Sequence, residues 1–441
     1  MTTASVKTAS DEVTLIATKP FNSVSRDVGD DVLCAASGKR KIRLLVLTSL
    51  YPNAAQPRHG VFVEERLRHL VDSGRIAATV VAPVPWFPFR SPMFGAYSRF
   101  AAVPETEERY GIKILHPRYP VIPKVGMNVA PFLMYRALLP GIRRLLSNDP
   151  DYDLIDTHYL YPDGVAAVAL GRSVGRPVIA TARGNDVNLI PSYRIPRQQI
   201  LRAAGRAAAV VTVSQALRAR LVALGMDAKH ICVLRNGVDL ERFGPRDRTV
   251  IRAKLGLTDT VWLTVSHLVE RKGVHIVVEA LAKVPHTTLL IAGDGPEGHK
   301  LRSLVERLGL GTRVRFLGTI RHDELCEYYN AADLLLLASV SEGMPNVILE
   351  SLACGTPVVA APFDGITELL SAPEAGEIAT ERNVEAIVSA WLRLRDRAPA
   401  RAITRAFAER LGWQPVVQAQ CELYARALRA SAPVERPVAE P

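Results

Sequence analysis

The sequence predicts a mixed α/β protein with two doubly wound halves, each a parallel sheet covered by helices on both faces. Short apolar runs of strand length alternate with segments of helical periodicity, and this alternation starts a second time near residue 240. The chain has 441 residues, which exceeds the size at which one hydrophobic core usually keeps growing. Its 48% hydrophobic and 22% charged residues are ordinary for a globular protein and exclude a disordered or collagen-like chain.

Apolar runs in the first half predict five strands and an early helix. The Tyr51-Pro52-Asn53 turn ends the first strand, and a helix is expected from Phe62 to Val71. The predicted strands are residues 43–48, 78–82, 154–156, 178–181 and 209–213.

The same rhythm restarts after Asn236-Gly237-Val238-Asp239, so we expect one domain over residues 41–240 and a second over 241–410. Residues 1–40 lack periodicity and predict a mobile arm, and residues 431–441 predict a tail. The predicted strands of the second half are 262–266, 288–292, 313–317, 334–337 and 358–361, and its helices include 274–282 and 300–308.

The net charge of +11 is unevenly distributed. Between Lys41 and Pro150 there are 15 Lys and Arg residues against 7 Asp and Glu residues. Such a surplus indicates an anionic partner, for which nucleic acid, phospholipid headgroups and a lipid diphosphate are the candidates. No nucleic-acid module signature accompanies it, so no nucleic-acid partner is predicted. The alternative is that the surplus serves only solubility.

Cysteine usage and hydropathy predict a cytoplasmic protein. No apolar run approaches the roughly 18 residues that span a bilayer, and the first 40 residues lack a signal-peptide pattern. The cysteines are odd in number and never spaced as metal ligands or as a disulfide framework, so neither is predicted. They are Cys34, Cys232, Cys326, Cys354 and Cys421.

The most informative pattern runs from residue 341 to 357. It follows a predicted strand, turns on Gly343 and opens a helix with Pro345 near its first position, where a missing N–H is harmless. The free amides of the segment from Met344 to Val347, which are those of Met344, Asn346 and Val347 on either side of Pro345, predict an anion site that suits a diphosphate.

Two carboxylates accompany this anion site. Glu342 precedes the helix and Glu350 lies on it, so the two side chains need not share a face. One of them is then free to accept hydrogen bonds from sugar hydroxyls while the other binds a ribose.

With these residues the chain resembles the retaining GT-B glycosyltransferases grouped as family 4. Their E-x7-E element matches Glu342 and Glu350, and the resemblance covers roughly residues 43–424. It implies a cleft between two Rossmann-like domains, with the acceptor on the first and the nucleotide-sugar on the second. A C-terminal helix over about 411–430 is implied to cross back onto the first domain. Further matching motifs are Asn236-Gly237-Val238-Asp239, Glu270-Arg271-Lys272-Gly273, Ala292-Gly293-Asp294-Gly295-Pro296 and Phe316-Leu317-Gly318.

The resemblance also implies roles on the donor side. Glu350 would bind the ribose hydroxyls, Glu342 the transferred sugar and Lys272 the diphosphate, without a metal or another cofactor. The family commonly has Gly-Arg where this chain has Ser266-His267, so Arg271 and His267 are alternative phosphate ligands. For Arg271, a surface salt bridge is the competing interpretation.

Residues 293–298 also spell GxGxxG after a predicted strand, which is typical of dinucleotide binding. A nicotinamide site expects an acidic residue about 20 positions later, and residues 312–315 contain none. The pattern therefore favours the nucleotide-sugar interpretation over the nicotinamide one. Gly293 and Gly295 would let the backbone approach the donor.

Three positions of the first half complete the predicted site. His158 ends a predicted strand and is expected to point into the cleft beside the anomeric centre, although a buried structural histidine is the alternative. Gly60 matches the glycine that lets a loop approach the diphosphate. Arg183 stands where the family has histidine in Thr-x-His-Gly, which suggests an anionic or otherwise distinct acceptor. The alternative is an ion pair between Arg183 and Asp186.

Six of the 27 aromatic residues fall between Trp86 and Phe100, interleaved with Arg90 and Arg99. Amphipathic aromatics beside cations suit a membrane interface or a lipid-linked acceptor. The alternative is a loop that packs on its own domain.

Together these features predict a metal-independent, retaining hexosyltransferase that moves a sugar from a UDP- or GDP-sugar to a glycan or polyprenyl-linked acceptor. A role in cell-envelope or exopolysaccharide biosynthesis is expected, in the cytoplasm and with reversible attachment to the inner face of the plasma membrane. The alternatives are a nucleotide-sugar epimerase or phosphorylase of the same fold, or a non-catalytic sugar- or lipid-binding protein.

Overall fold

A computed structural model describes residues 40–431 except for 88, 90, 92, 94, 95 and 123–125, and it leaves out the side chains of 96 and 97. The predicted arm, apart from residue 40, and the predicted tail after residue 431 therefore lie outside the described residues.

The first half is built on an eight-stranded sheet with the order β10-β9-β8-β7-β1-β2-β5-β4. Its strands are parallel except for β4, which runs antiparallel to β5 at the edge. A separate two-stranded sheet pairs β3 with β6. The strands are β1 (Ile42–Leu47), β2 (Ile76–Val81), β3 (Val84–Pro85), β4 (Thr106–Arg109), β5 (Ile112–Leu115), β6 (Arg118–Tyr119), β7 (Leu154–His158), β8 (Val178–Ala182), β9 (Ala209–Thr212) and β10 (Ile231–Val233).

Helices connect these strands and cover both faces of the sheet. They are α1 (Val61–Asp72), α2 (Ala96–Ala102), α3 (Ala130–Asn148), α4 (Val165–Val174), α5 (Asn185–Asn188), α6 (Arg194–Ala204) and α7 (Gln215–Ala223).

The second half has a six-stranded, fully parallel sheet with the order β13-β12-β11-β14-β15-β16. Its strands are β11 (Thr260–Val265), β12 (Thr287–Ala292), β13 (Val314–Gly318), β14 (Leu334–Leu337), β15 (Val358–Ala360) and β16 (Gly376–Ile378). The helices that follow the first seven are α8 (Arg248–Leu255), α9 (Val274–Ala282), α10 (Gly298–Arg307), α11 (Leu325–Ala331), α12 (Asn346–Ala353), α13 (Ile366–Leu369), α14 (Val384–Arg397), α15 (Arg401–Glu409) and α16 (Trp413–Ser431).

Each sheet is buried on both faces, as side-chain alternation along a central strand shows. In β1, Leu45 and Leu47 belong to the core on one face, while Leu44 and Val46 belong to the core on the other. In β11, Leu263 and Trp262 divide in the same way. Burial on both faces explains why these strands are mostly apolar rather than alternating between apolar and polar residues.

The last helix returns to the first half. Between the halves, the Asn236–Asp239 segment meets the start of α16, since Val238 forms a β-bridge with Gly412. Beyond this point Cys421 and Tyr424 of α16 are buried in the core of the first sheet, against α1 and β1. Both halves therefore share this helix.

The structure confirms the predicted α/β class. The strands predicted from apolar runs lie within two residues of their observed bounds, and the helices predicted at 62–71 and 274–282 are present. The prediction missed the antiparallel hairpin of β4 and β5, whose outer strand reads Thr-Glu-Glu-Arg, and the short strands β10 and β16. The first sheet is consequently not purely parallel.

Candidate active site

A cavity of about 1280 Å³ opens between the two halves. It is lined by the segments that follow β1, β7 and β8 in the first half and β11, β12 and β14 in the second. The strand order reverses between β1 and β7, and again between β11 and β14. In open parallel sheets, ligands bind outside the carboxyl ends of the strands at such reversal points.

Much of the second-half wall is the segment from Glu342 to Val347, which lines the cavity along its length. Helix α12 begins at Asn346 with no side-chain cap, so its first amides are open to a ligand. Gly343 allows the segment to meet the first half, because a Cβ there would lie 1.9 Å from the carbonyl oxygen of Arg183. Met344 packs against the cores of both halves. Any residue larger than glycine at position 343 would force the halves apart.

Lys272 and Glu342 form an ion pair on this wall, with 2.5 Å between Nζ and Oε1. Lys272 ends a 3-10 turn from Glu270 to Lys272, and its neighbour Arg271 also lines the cavity. No carboxylate in the described part of the chain forms a salt bridge with Arg271, which leaves its guanidinium available to an anion. The sequence predicted both cations at the cavity, and the structure brings them together with Glu342.

Glu350 does not line the cavity. Its side chain is 7% exposed, with Oε1 2.9 Å from Nε2 of His322 and Oε2 accepting a hydrogen bond of 2.7 Å from the hydroxyl of Tyr329. Tyr329 is fully buried. Glu350 is therefore held beneath the cavity wall by two side chains that the sequence analysis did not single out.

His322 extends this cluster to the first half, where Nδ1 lies 3.3 Å from Oε1 of Glu65 on α1. Arg242 donates to the same Glu65 oxygen at 2.8 Å. Burial, with a smaller contribution from Glu350, raises the pKa of Glu65 to about 7. His322 and Arg242 oppose this rise. Burial lowers the pKa of His322, but the hydrogen bond to Glu350 and the two carboxylates raise it above its usual value.

His158 is buried in the first half and does not reach the cavity. Its Nδ1 lies 2.8 Å from Arg183 Nη2, and its Nε2 lies 3.5 Å from Asp156 Oδ2. Since a guanidinium only donates, Nδ1 accepts and the ring hydrogen is on Nε2. Burial, Arg183 and Arg66 all lower the pKa of His158, so the ring is neutral. The structure thus places His158 as the alternative expected, as a buried and hydrogen-bonded histidine, and its role beside the anomeric centre stays a prediction.

Asp156, two residues before His158 on β7, is hydrogen-bonded to the last helix. Tyr424 of α16 donates to Asp156 Oδ2 at 2.7 Å, and Gln420 donates to the Tyr424 hydroxyl at 3.0 Å. Burial raises the pKa of Asp156 to about 6, although the Tyr424 bond opposes this. The returning helix thus fixes the strand end that carries His158.

Arg183 lines the cavity, whereas Asp186 is fully buried. The Asp186 carboxylate accepts hydrogen bonds from the backbone amides of Leu160, Arg183 and Gly184. It therefore anchors the loop after β8 and does not pair with the Arg183 guanidinium. The alternative of an Arg183–Asp186 ion pair is wrong.

The three predicted glycines differ in position. Gly293 and Gly295 line the cavity, but a Cβ on either would collide with the carbonyl oxygen of Ser266 or Leu268. Their small size is thus required by the packing of the chain after β11. Gly60 starts α1 behind the cavity-lining loop of residues 55–59 and does not itself line the cavity.

Sequence reasoning missed several cavity residues. Tyr159 follows His158 with a backbone φ of 82°, a value that side chains rarely adopt and that often accompanies functional sites. Asn236 also lines the cavity and donates to Asn346 Oδ1 at 2.8 Å, which joins the interdomain segment to the start of α12. Phe62, His59 and Arg58 come from the loop and helix after β1. Two sequence features could have indicated Tyr159 and Asn236: the predicted strand end at His158 and the motif that begins at Asn236.

The aromatic segment is partly described. Trp86 and Phe89 are 59% and 55% exposed, whereas Phe87 is half-buried. Arg90 and Phe94, and the side chain of Tyr97, lie outside the described residues. Within the described part of this segment, two large aromatics therefore face outward.

The described residues contain no group of three or more His, Cys, Asp or Glu side chains arranged to hold a metal ion. None of the helices in residues 40–431 that the structure describes is long and apolar enough to cross a bilayer. The four described cysteines are free thiols, with Cys326 and Cys354 3.7 Å apart between their sulfur atoms.

Comparison with known proteins decides the family. Residues 247–409 match the family model of glycosyl transferases group 1, and residues 98–242 match that of glycosyltransferase family 4. A putative teichuronic acid biosynthesis glycosyltransferase of Bacillus subtilis (strain 168) is 31% identical over 338 residues, which cover 74% of this chain and 83% of that protein. This chain belongs to glycosyltransferase family 4.

Another relative is the D-inositol 3-phosphate glycosyltransferase of Mycobacterium bovis (strain BCG / Pasteur 1173P2). It is 32% identical over 305 residues, which cover 63% of this family 4 chain and 62% of that protein. Among solved structures, Anabaena HepE in complex with UDP aligns with a TM-score of 0.67 at 23% identity, over 88% of this chain and all of that one. The same Anabaena protein aligns in complex with UDP-glucose, with a TM-score of 0.66 at 22% identity, over 88% of this chain and 99% of that one. These likenesses establish the GT-B fold, and the chain is a glycosyltransferase by family.

Proposed function

We propose that this glycosyltransferase moves a hexose from a UDP- or GDP-sugar to a glycan or polyprenyl-linked acceptor with retention of the anomeric configuration. The observation that carries the proposal is the Lys272–Glu342 ion pair beside the open amides of α12 on the cavity wall. A nucleotide-sugar needs cations and N–H donors for its diphosphate, and a carboxylate nearby that can accept hydrogen bonds from the sugar hydroxyls. The UDP and UDP-glucose complexes of the Anabaena neighbour support a nucleotide-sugar donor.

The chemistry follows from the charge that develops on the departing diphosphate. Lys272 and Arg271, together with the α12 amides, would stabilise that charge without a metal ion. Lys272 is 17% exposed at its side chain, so its attraction to the diphosphate is weakly screened by solvent. The acceptor hydroxyl would attack from the face that the diphosphate leaves, and the diphosphate would take its proton. Glu342, paired with Lys272, would bind the sugar rather than act as a nucleophile.

The acceptor would enter from the first half. The cationic surplus of residues 41–150 and the exposed Trp86 and Phe89 support an acceptor that is anionic or carried on a lipid, and reversible attachment to the inner face of the plasma membrane. The name of the Bacillus relative supports a role in building a cell-envelope polysaccharide.

Thermal-shift measurements with UDP, GDP and ADP test the donor, because a ligand that binds only the folded state raises the melting temperature. One of the first two should stabilise the chain. Incubation of the matching nucleotide-sugar without an acceptor should leave the sugar unchanged, and NMR of the transferred product should show the donor's anomeric configuration. An isomerised sugar would make the enzyme an epimerase, and nucleotide-independent release of a sugar phosphate would make it a phosphorylase. If none of the three nucleotides shifted the melting temperature, the proposal would fail in favour of a non-catalytic binding protein.

A further inference from the structure

Arg183 is a buried cation in the wall of the cleft. The residue is 9% exposed and lines the cavity, and its guanidinium stacks over the ring of Phe62 at 5.3 Å. It sits at the end of β8, in the loop that Asp186 holds by its amides. Its location is therefore fixed by the fold and does not depend on a flexible surface chain.

Among the described residues, the groups that accept hydrogen bonds from the guanidinium are neutral. Nη1 donates to Asn236 Oδ1 at 3.0 Å and Nη2 donates to His158 Nδ1 at 2.8 Å, while Nε is buried and has no hydrogen-bond partner among these residues. Within the described part of the chain no carboxylate forms a salt bridge with it, and Asp186 is engaged by backbone amides. Buried charges in proteins are normally paired, since an unpaired one is strongly destabilising.

Buried charges of both signs surround this guanidinium. A second arginine, Arg66, is buried nearby and donates to the carbonyl oxygens of Leu234 and Arg235, while the buried Asp156 carboxylate partly offsets the charge of both arginines. Burial and the charge of Arg66 outweigh the opposing effect of Asp156 and Asp186 and lower the pKa of Arg183 to about 9, which still leaves it charged at neutral pH. An anion in the cleft would relieve both the missing partner and the repulsion between the two arginines.

The geometry also indicates which part of the substrate would meet Arg183. Its backbone abuts Gly343, and a Cβ on Gly184 would lie 3.1 Å from the Gly343 Cα. Gly343 directly follows Glu342, the partner of Lys272, and precedes the open end of α12, where the diphosphate is proposed to bind. Arg183 thus lines the acceptor-half wall of the cavity next to the proposed diphosphate site.

We infer that Arg183 binds a carboxylate or phosphate carried either by the sugar being transferred or by the acceptor beside it. The inference rests on the proposed function and specifies its substrate class: one of the two reacting partners is anionic at the reaction centre. His158 is then a positioning residue, because its neutral ring accepts from Arg183 and orients the fork towards the cleft.

Paired ligands that differ only in charge test this inference. For the donor, UDP-glucose and UDP-glucuronic acid are compared by calorimetry, or the corresponding GDP-mannose and GDP-mannuronic acid if the chain prefers GDP. For the acceptor, methyl glucoside is compared with methyl glucuronide and with glucose 6-phosphate on the nucleotide-saturated protein. The wild type should favour the anionic member of one set by tenfold or more. A preference in the first set identifies a uronic acid donor, and one in the second set identifies an anionic acceptor.

The variants are Arg183→Gln, which removes the charge, and Arg183→Lys, which keeps it without the planar fork. Glutamine should abolish the preference and lysine should retain part of it, while affinity for the bare nucleotide changes by less than about threefold in both. That affinity also shows that each variant is folded. The exposed Arg206→Gln serves as a matched control and should behave as wild type.

Two failures are distinguishable. If the bare nucleotide binds but neither set shows a charge preference, or if Arg183→Gln keeps the preference unchanged, the inference is overturned and the proposed function stands. If no nucleotide binds, the proposed function fails and the inference fails with it.

Discussion

His322 lies 2.9 Å from Glu350, between Nε2 and Oε1, and so joins the carboxylate expected at the donor ribose to a charged cluster that reaches the first half. Its other nitrogen faces Glu65 of α1. The carboxylate itself is oriented by His322 and Tyr329 of the second half. The first half acts on it indirectly, because Glu65 holds the other ring nitrogen of His322.

Glu350 lies beneath the cavity wall in this structure, whereas the family resemblance implies that it binds the donor ribose. If it takes that role when the donor binds, replacing it by alanine should weaken binding of the preferred nucleotide by about 1 to 3 kcal/mol, the usual scale for losing a charge-assisted hydrogen-bond partner. Calorimetric titration measures this directly. The variant should also melt earlier, because the buried hydroxyl of Tyr329 loses its acceptor. Tyr329→Phe is the matched control, since it removes the same hydrogen bond but keeps the carboxylate. Unchanged nucleotide affinity in Glu350→Ala, or equal losses in both variants, would contradict the ribose role.

The cluster around Glu65 predicts a pH dependence of stability. The groups facing Glu65 are His322, Glu350, Arg242 and Asp239, and burial raises its pKa from 4.5 to about 7. Between these values the folded chain keeps a proton that the unfolded chain has lost, so the free energy of unfolding falls as pH rises. His322, with a raised pKa, acts in the same direction above its unfolded value.

Urea unfolding at pH 5 and pH 8 measures this dependence. Wild type should lose roughly 1 to 3 kcal/mol more than Glu65→Gln between the two pH values, since one pKa unit corresponds to about 1.4 kcal/mol. The exposed Glu306→Gln should keep the wild-type dependence. Parallel curves for wild type and Glu65→Gln would show that Glu65 ionises normally in the folded chain.

These cases show which parts of the molecule the sequence could predict. Strand β1 and strand β14 were predictable because parallel strands buried on both faces are mostly apolar; Arg43 is the one polar residue in β1, and β14 is four leucines. Strand β4 was not, because Thr106–Arg109 is polar and pairs only at the sheet edge. The Glu342–Val347 wall was predictable because its residues are adjacent in the chain. The inward turn of His158 depends on Arg183, which follows the neighbouring strand β8 and reaches His158 only through tertiary packing.

Lys272→Ala should lower turnover about a hundredfold or more, because the departing diphosphate loses its principal cation. Initial rates at saturating donor measure the effect. Lys283→Ala is a suitable control, since Lys283 also forms an ion pair with a glutamate, Glu385, but at an exposed surface. The control should retain wild-type turnover. Turnover in Lys272→Ala within about threefold of wild type would refute the role in diphosphate stabilisation.

Transfer should proceed fully in excess EDTA, because Lys272, Arg271 and the α12 amides supply the positive charge that a metal ion would otherwise provide. Rates are compared with and without chelator, and then after addition of magnesium or manganese. Loss of activity in chelator followed by recovery with either metal would contradict a metal-independent mechanism.

The exposed aromatics and cationic surplus of the first half predict reversible binding to anionic membranes. Trp86 and Phe89 can insert their rings at the headgroup level, and each nearby cation contributes on the order of 1 kcal/mol at low salt. Sedimentation with vesicles of phosphatidylglycerol and phosphatidylcholine should show binding that falls as salt rises, because the charge attraction is screened within a Debye length.

Substitution separates the apolar contribution from the charge. The double variant Trp86→Ser and Phe89→Ser should bind anionic vesicles several-fold more weakly, since both side chains are more than half exposed and their loss leaves the core intact. Phe87 is left unchanged because it is half-buried. Val250→Ser with Ile403→Ser is the matched control, as these exposed apolar residues lie on the second half, and it should bind as wild type. Equal binding to neutral vesicles, or none to either kind, would contradict membrane attachment and favour an acceptor that reaches the cleft from solution.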